Sequence, residues 1–75
     1  MSPLPMMGEV EVVVRSARST SIHGDLYHDL VVDPSDGSPA EAIRVPAHLC
    51  AAAPRPGDRL RLRMLMSQVD AATPI

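Results

Sequence analysis

The stretch LYHDLVVDPSDGSPAEAIRVP, residues 26–46, decides the fold. Apolar and polar side chains alternate at both of its ends, which is typical of half-buried strands. Its centre is rich in turn residues, because Pro34 fixes φ and Asp36-Gly37 favours a tight reversal. The stretch therefore predicts a β-hairpin with strands over 26–33 and 40–46.

The residues before this hairpin predict another strand. Polar and apolar residues alternate from Glu9 onward in GEVEVVVRSARS, which indicates a strand over 8–19. Gly24-Asp25 is a turn signal that separates this strand from the hairpin.

The residues after the hairpin complete the pattern. Pro54 and Pro56 limit the helix-forming residues 47–53 to a short helical turn. Arginine and apolar residues then alternate over 59–66, which is the clearest strand of the chain. The tail, 67–75, either continues that strand past a bend or forms a last short strand.

This order of elements predicts an all-β fold, a small five-stranded barrel with a short helix between strands 3 and 4. His28 is expected on the inward face as a hydrogen-bonded core or rim residue. The apolar residues expected to point inward are Val10, Val12, Val14, Leu26, Leu30, Val32, Ile43, Val45, Leu60, Leu62, Met64 and Met66.

Length and composition bear on the organisation of the chain. Its 75 residues form one domain, which we place at 8–75 after a flexible lead of residues 1–7. Tyr27 is the only aromatic residue, so the core must be aliphatic and the stability margin small. A small aliphatic core gains from a partner subunit, so we expect a homo-oligomer.

Charge and cysteine content bear on partners and compartment. A net charge of −2 argues against a protein that binds nucleic acid through bulk positive charge. Every basic residue is Arg, which is consistent with a GC-rich bacterial genome, and the lone Cys50 excludes a disulfide framework. Neither a long apolar run nor a signal-peptide pattern is present, so we expect a soluble, cytoplasmic protein with no membrane partner.

One set of residues, spread over 8–69, points to a known family. In chain order it comprises Val10 to Arg15, Gly24, Tyr27, Leu30, Val32, Asp33, Gly37, Ile43, Val45, Gly57-Asp58, Leu60 and Leu62. The arrangement resembles an OB-fold domain of the nucleic-acid-binding type found in replication protein A and in anticodon-binding domains. The resemblance implies a ligand groove on the outer face of the second and third strands, and an accessory function in replication or repair.

Four residues are candidates for binding single-stranded nucleic acid on that face: Tyr27, Arg15, Arg44 and Arg18. Alternation places Tyr27 outward with Arg15 and Arg44 nearby, and Arg18 is expected in the first loop. Bases can stack on such a ring while guanidinium groups contact phosphates. The competing interpretation is that Tyr27 packs across strands, on Val13 or an Arg stem, and only stabilises the sheet.

A second function fits the same barrel. The acidic pI, the single aromatic ring and the incomplete fifth strand favour a protein-interaction or assembly module that pairs with itself or docks on a larger protein. The arginines of 59–63 could follow a nucleic-acid backbone, but Glu9 and Glu11 are expected on the neighbouring first strand. We therefore favour a salt-bridged face there.

Metal binding and catalysis are disfavoured by the spacing of the reactive residues. His23, His28, His48 and Cys50 lack the paired spacing of metal ligands, and no third group orients His48 and Cys50 as a nucleophilic pair. The four glycines stand alone at turns, so there is no phosphate-binding loop. We expect no enzymatic activity, no metal and no cofactor.

Overall fold

A computed structural model describes residues 7–75 of the chain. Five strands and one three-residue 3₁₀ turn form in this part: β1 Gly8–Ile22, β2 Asp25–Pro34, β3 Glu41–Pro46, the turn Ala47–Leu49, β4 Arg59–Leu65 and β5 Gln68–Pro74. The predicted all-β class is confirmed. The predicted flexible lead, residues 1–7, lies outside the described residues except for Met7, which is exposed.

The strands form one antiparallel sheet in the order β3–β2–β1–β4–β5. The sheet curls until its edge strands β3 and β5 contact each other, but these two strands do not pair. The result is a barrel-like fold with an open seam between β3 and β5. The tail provides the fifth strand itself, so the alternative of a bend that prolongs β4 is wrong.

β1 is the central strand and changes partner along its length. It pairs with β4 through Gly8–Val13, and with β2 from Val12 to Ile22. The register shifts at Arg15, where the backbone of Val14 instead bonds to Gly57 and Asp58 in the loop before β4. Such a bulge inserts one residue and reverses the alternation beyond it.

β1 differs from the prediction in its length and in the residue that it buries beyond the bulge. The strand continues to Ile22 instead of ending near residue 19, so Arg18 lies within a strand and not in a loop. Ala17 is the residue that turns toward the core after the bulge, where it packs against buried side chains.

Two hairpins are closed by two-residue turns with the same backbone. His23-Gly24 joins β1 to β2, and Met66-Ser67 joins β4 to β5. All four residues have positive φ, between 52° and 83°, as type I′ turns require. Glycine adopts this conformation freely, whereas an L side chain costs about 1 kcal/mol there.

The core consists of nine buried apolar residues: Val12, Val14, Leu30, Val32, Val45, Leu60, Leu62, Met64 and Ala72. Eight of the predicted inward residues are in this set, and Val10 and Ile43 are half-buried against it. His28 is buried as expected, and its Nδ1 lies 3.3 Å from the hydroxyl of Ser19.

Two of the predicted core residues are exposed. Leu26 is 52% exposed because it follows the tight β1–β2 turn, beyond the covered part of the barrel. Met66 is 76% exposed because it forms the β4–β5 turn instead of continuing β4. The helical turn is also shorter than the predicted 47–53, since the backbone is extended at Cys50.

In residues 7–75 no helix is long and apolar enough to cross a membrane.

Candidate ligand groove

Two depressions meet over β3. The first, which we call the outer-face depression, has a volume of about 610 Å³ and is lined by residues of β1, β2 and β3. The second, the seam cleft, has a volume of about 520 Å³ and lies between β3 and the start of β5. Both are lined by Ala42, Ile43 and Arg44, so the two depressions adjoin along β3, and we refer to them together as the groove.

Three charged residues form a row across the outer-face depression. The register places Arg18 of β1 opposite Asp29 of β2, and Asp29 opposite Arg44 of β3. Arg44 donates from Nε and Nη2 to the two carboxylate oxygens of Asp29, at 2.8 and 3.3 Å. Arg18 makes no ion pair within 4.0 Å among the described residues.

The charges in this row shift the pKa values of Asp29 and Arg44. The pKa of Asp29 is held below its usual range, first by the hydrogen bonds from Arg44 and also by the positive charges of Arg44 and Arg18. The same hydrogen bonds raise the pKa of Arg44. Asp29 therefore stays a carboxylate at neutral pH and screens the arginines on either side.

Tyr27 borders the groove at the seam end. Its side chain is half-buried and lines the seam cleft together with Arg44, but not the outer-face depression. Its cross-strand neighbours are Thr20 and Pro46, whereas Val13 lies opposite Asp33. Val13 is therefore wrong as a packing partner of Tyr27, and packing on an Arg stem stays a prediction.

Arg15 lies apart from the other candidate site residues. It makes a two-pronged ion pair with Asp33, at 3.0 and 2.7 Å, and lines neither depression. Asp33 is six positions from Tyr27 on β2, a distance of about 20 Å along a strand. The structure thus brings Tyr27, Arg44 and Arg18 to one groove and leaves Arg15 outside it.

Gln68 is a groove residue that the sequence did not indicate. It is exposed, lines the seam cleft, and its carboxamide makes no hydrogen bond with any described residue. Ser67 and Val69 line the cleft beside it. No periodicity could reveal this, because only the closure of the barrel brings β5 to face β3.

The groove is not a continuous positive surface. Arg18 and Arg44 line it together with Asp29 and Glu41, and Glu41 itself interacts within the chain. Ligand binding in such a groove depends on stacking and individual hydrogen bonds more than on bulk charge.

The arginines of β4 are ion-paired, as expected. Arg61 lies 3.1 Å from Glu11, which also lies 4.0 Å from Arg59, and Arg63 pairs with Asp70 of β5. Glu9 lies opposite Arg63 in the register, but the ion pair of Arg63 within 7–75 is with Asp70. We call Arg59, Arg61 and Arg63 the arginine ladder.

No cluster of three or more His, Cys, Asp or Glu side chains that could hold a metal ion occurs within 7–75. Cys50 is half-buried, and this burial raises the pKa of its thiol. A raised thiol pKa lowers the fraction of reactive thiolate at neutral pH.

Comparison with known proteins finds no match. No protein-family model fits the chain, and no curated protein or solved structure is significantly similar to it.

Proposed function

We propose that the protein binds single-stranded nucleic acid in the groove across β3. The observation that carries the proposal is that Arg44 lines both depressions of the groove, with Arg18 in the outer-face depression and Tyr27 in the seam cleft. An open groove with a ring and cationic side chains suits an unpaired strand, whose bases and phosphates are both accessible. The resemblance to nucleic-acid-binding OB-fold domains, with an accessory function in replication or repair, stays a prediction.

The ion pair of Arg44 leaves room for a phosphate. A guanidinium group has five N–H donors, and Asp29 accepts from Nε and Nη2. Exposed ion pairs contribute little to stability, so Arg44 can share or exchange its partner at low cost. Arg18, opposite Asp29 in the register, can contact the same strand from the other side of the groove.

Tyr27 supplies the stacking surface in this proposal. Base–aromatic stacking contributes roughly 1–3 kcal/mol per base, which corresponds to about 5- to 150-fold in affinity. Because the groove carries balanced charges, most of the affinity rests on this one ring.

Fluorescence anisotropy with labelled oligo-dT and mixed-sequence single strands tests the proposal. We expect measurable binding by the wild type, an affinity at least fivefold lower for Tyr27→Ala, and little change for Tyr27→Phe, which keeps a ring. Thermal unfolding of each variant separates lost stacking from lost folding, since Tyr27 is half-buried. Absence of binding even at low salt, with folded protein, would contradict the proposal.

A second candidate function is an assembly module, and an exposed apolar tip favours it. Met7, Leu65 and Met66 are 63%, 47% and 76% exposed at one end of the barrel. Gly8 pairs with Met64, so Met7, which precedes it, lies at the same end of the barrel as the β4–β5 turn. Met66 also keeps a positive φ of 52° in the turn, and such strain is common where a contact requires it.

Replacing this turn tests the assembly function. Met66→Asn with Ser67→Gly matches the preferred type I′ sequence and should raise the free energy of unfolding by about 1–2 kcal/mol. If the tip mediates self-association, sedimentation velocity will show the wild type as an oligomer and the double variant as a monomer. A wild type that is monomeric at high concentration rules out self-assembly.

A further inference from the structure

We infer that the seam cleft is a nucleobase pocket selective for adenine, in which the base stacks on Tyr27 and the carboxamide of Gln68 reads its edge. This inference rests on the proposed function and specifies which part of a single strand the protein recognises.

The cleft has the size and lining of a small-ligand site. Its volume of about 520 Å³ lies within the roughly 300–1,000 Å³ typical of such pockets. Its apolar lining comes from Ile43, Met64 and Val69, all of which belong to the core or pack against it. Apolar floors with a few polar groups at the rim favour a flat, partly apolar ligand such as a base.

Three polar groups at the rim have distinct functions in this pocket. Tyr27 offers its ring, Arg44 offers guanidinium donors to the adjoining phosphate, and Gln68 offers an amide that is not engaged with any described residue. Bases in single strands are recognised in this way, by stacking combined with hydrogen bonds to their edges.

The carboxamide matches adenine on its Hoogsteen edge, which carries N7. Gln68 presents a donor beside an acceptor, and the Watson–Crick edges of all four bases offer a complementary pair. Selectivity therefore requires that Gln68 reads the Hoogsteen edge, where only adenine, with its N6 amino group and N7, offers such a pair. The corresponding edge of guanine carries two acceptors, so one of them would oppose the amide oxygen. Pyrimidines stack over a smaller area, so they would gain less from the single ring of Tyr27.

A β-strand from another chain is the competing occupant of the cleft, because open sheet edges can accept one. Three features of β3 oppose this. The strand has only six residues, Pro46 has no N–H to donate, and Glu41 sets a charged side chain on the inward-facing row with Ile43. Short strands, prolines and inward charges are the usual protection of an edge against pairing.

The experiment compares oligo-dT strands that carry one central dA, dG, dC or 7-deaza-dA, measured by anisotropy with the intact chain. We expect the dA strand to bind about 5- to 20-fold more tightly than oligo-dT. This preference lies in the low part of the range of discrimination that a base contact with two hydrogen bonds provides. The 7-deaza-dA strand keeps the stacking surface and lacks N7, so it should lose most of this preference.

Gln68→Ala should bind the dA strand no better than oligo-dT while its affinity for oligo-dT stays within twofold of wild type. The matched control is Thr73→Ala, another exposed polar residue of β5 that does not line the cleft, and it should keep the full preference.

The outcomes separate the two proposals. Equal binding of all strands, or a dA preference that survives Gln68→Ala, overturns the adenine pocket and leaves single-strand binding intact. No binding of any strand overturns the proposed function, and the pocket with it. Oligomers that disappear in Val69→Lys, together with no strand binding, identify a second copy as the occupant of the seam.

Discussion

Two surfaces of this barrel carry three arginines each, but the groove lies on only one of them. The outer face of β1, β2 and β3 carries Arg15, Arg18 and Arg44, and the arginine ladder of β4 carries Arg59, Arg61 and Arg63. On the ladder, Glu11 and Asp70 pair with all three arginines. On the outer face, Asp33 and Asp29 pair with Arg15 and Arg44, and Arg18 makes no ion pair with any described residue.

Strand pairing explains why the two surfaces differ in shape. β4 pairs with β1 on one side and with β5 on the other, with one register shift between Arg63 and Met64, so the ladder has a paired strand on both sides. Arg61 and Arg63 line neither the outer-face depression nor the seam cleft. β3 and β5 meet without pairing, which leaves a cleft beside Tyr27 and Arg44. The number of arginines on a surface therefore does not indicate a groove, whereas the position of the open seam does.

Charge reversal should produce the largest difference in single-strand affinity between variants of the two surfaces. Arg18→Glu with Arg44→Glu places two further carboxylates around Asp29 in the groove, so we expect the affinity for single strands to fall about 100-fold or more. Arg61→Glu with Arg63→Glu makes the same change in charge on the ladder and should alter affinity less than threefold. Anisotropy at one salt concentration measures both, and equal losses would show that binding follows net charge and not the groove.

The salt dependence of binding provides a smaller effect. Two phosphate contacts, from Arg18 and Arg44, predict that log affinity falls with log salt concentration with a slope of about −1.4. Arg44→Ala should reduce this slope by about 0.7, and Arg61→Ala should leave it unchanged. Titrations at four salt concentrations measure the slope. A wild-type slope several times steeper would mean that the ladder also contacts the strand.

The smallest effects concern pH and the carboxylate of Asp29. Because its folded-state pKa is lowered, Asp29 contributes stability that is present above about pH 4, its unfolded-state range, and is lost as pH falls through the lower folded value. The stability difference between wild type and Asp29→Asn should therefore be visible at pH 7 and vanish in acid. Thermal unfolding between pH 2 and pH 7 measures it.

Asp36 provides the matched control for that measurement. Its pKa is lowered by hydrogen bonds from Ser38 in the loop between β2 and β3, away from the groove. The stability difference between wild type and Asp36→Asn should likewise vanish in acid. The oligonucleotide affinity of Asp36→Asn should equal that of the wild type. Asp29→Asn should instead bind single strands more tightly at pH 7, because it frees Arg44. An unchanged affinity would mean that Arg44 does not contact the ligand.

Local alternation was sufficient to predict the strands and most of the core. The hairpin of β2 and β3 forms as expected, and the outward arginines of β4 find acidic partners on neighbouring strands. The predictions that failed concern features that depend on contacts between separate segments of the chain. The bulge at Arg15 depends on contacts between Val14 and the loop at Gly57, which are more than forty positions apart in the chain.

The candidate site was also only partly predictable from local alternation. Alternation placed Tyr27 and Arg44 outward, and the register then made them near neighbours through Pro46 and Asp29. Alternation could not show that Arg15 lies outside the groove. Arg15 is far from Tyr27 because it pairs with Asp33, at the other end of β2, and that pairing depends on the register between β1 and β2. Gln68 was missed altogether, because its place beside β3 depends on the curl of the whole sheet.

The sequence by itself determined where the strands form and most of the side chains that they bury, because a period of two and the turn residues are local properties of the chain. Only the tertiary structure decided which strand edges stay open, which carboxylate neutralises which arginine, and that Tyr27 shares a cleft with Gln68. Those features depend on the register between strands and on how far the sheet curls. Both are set by the packing of all five strands around one core, and no single segment specifies them.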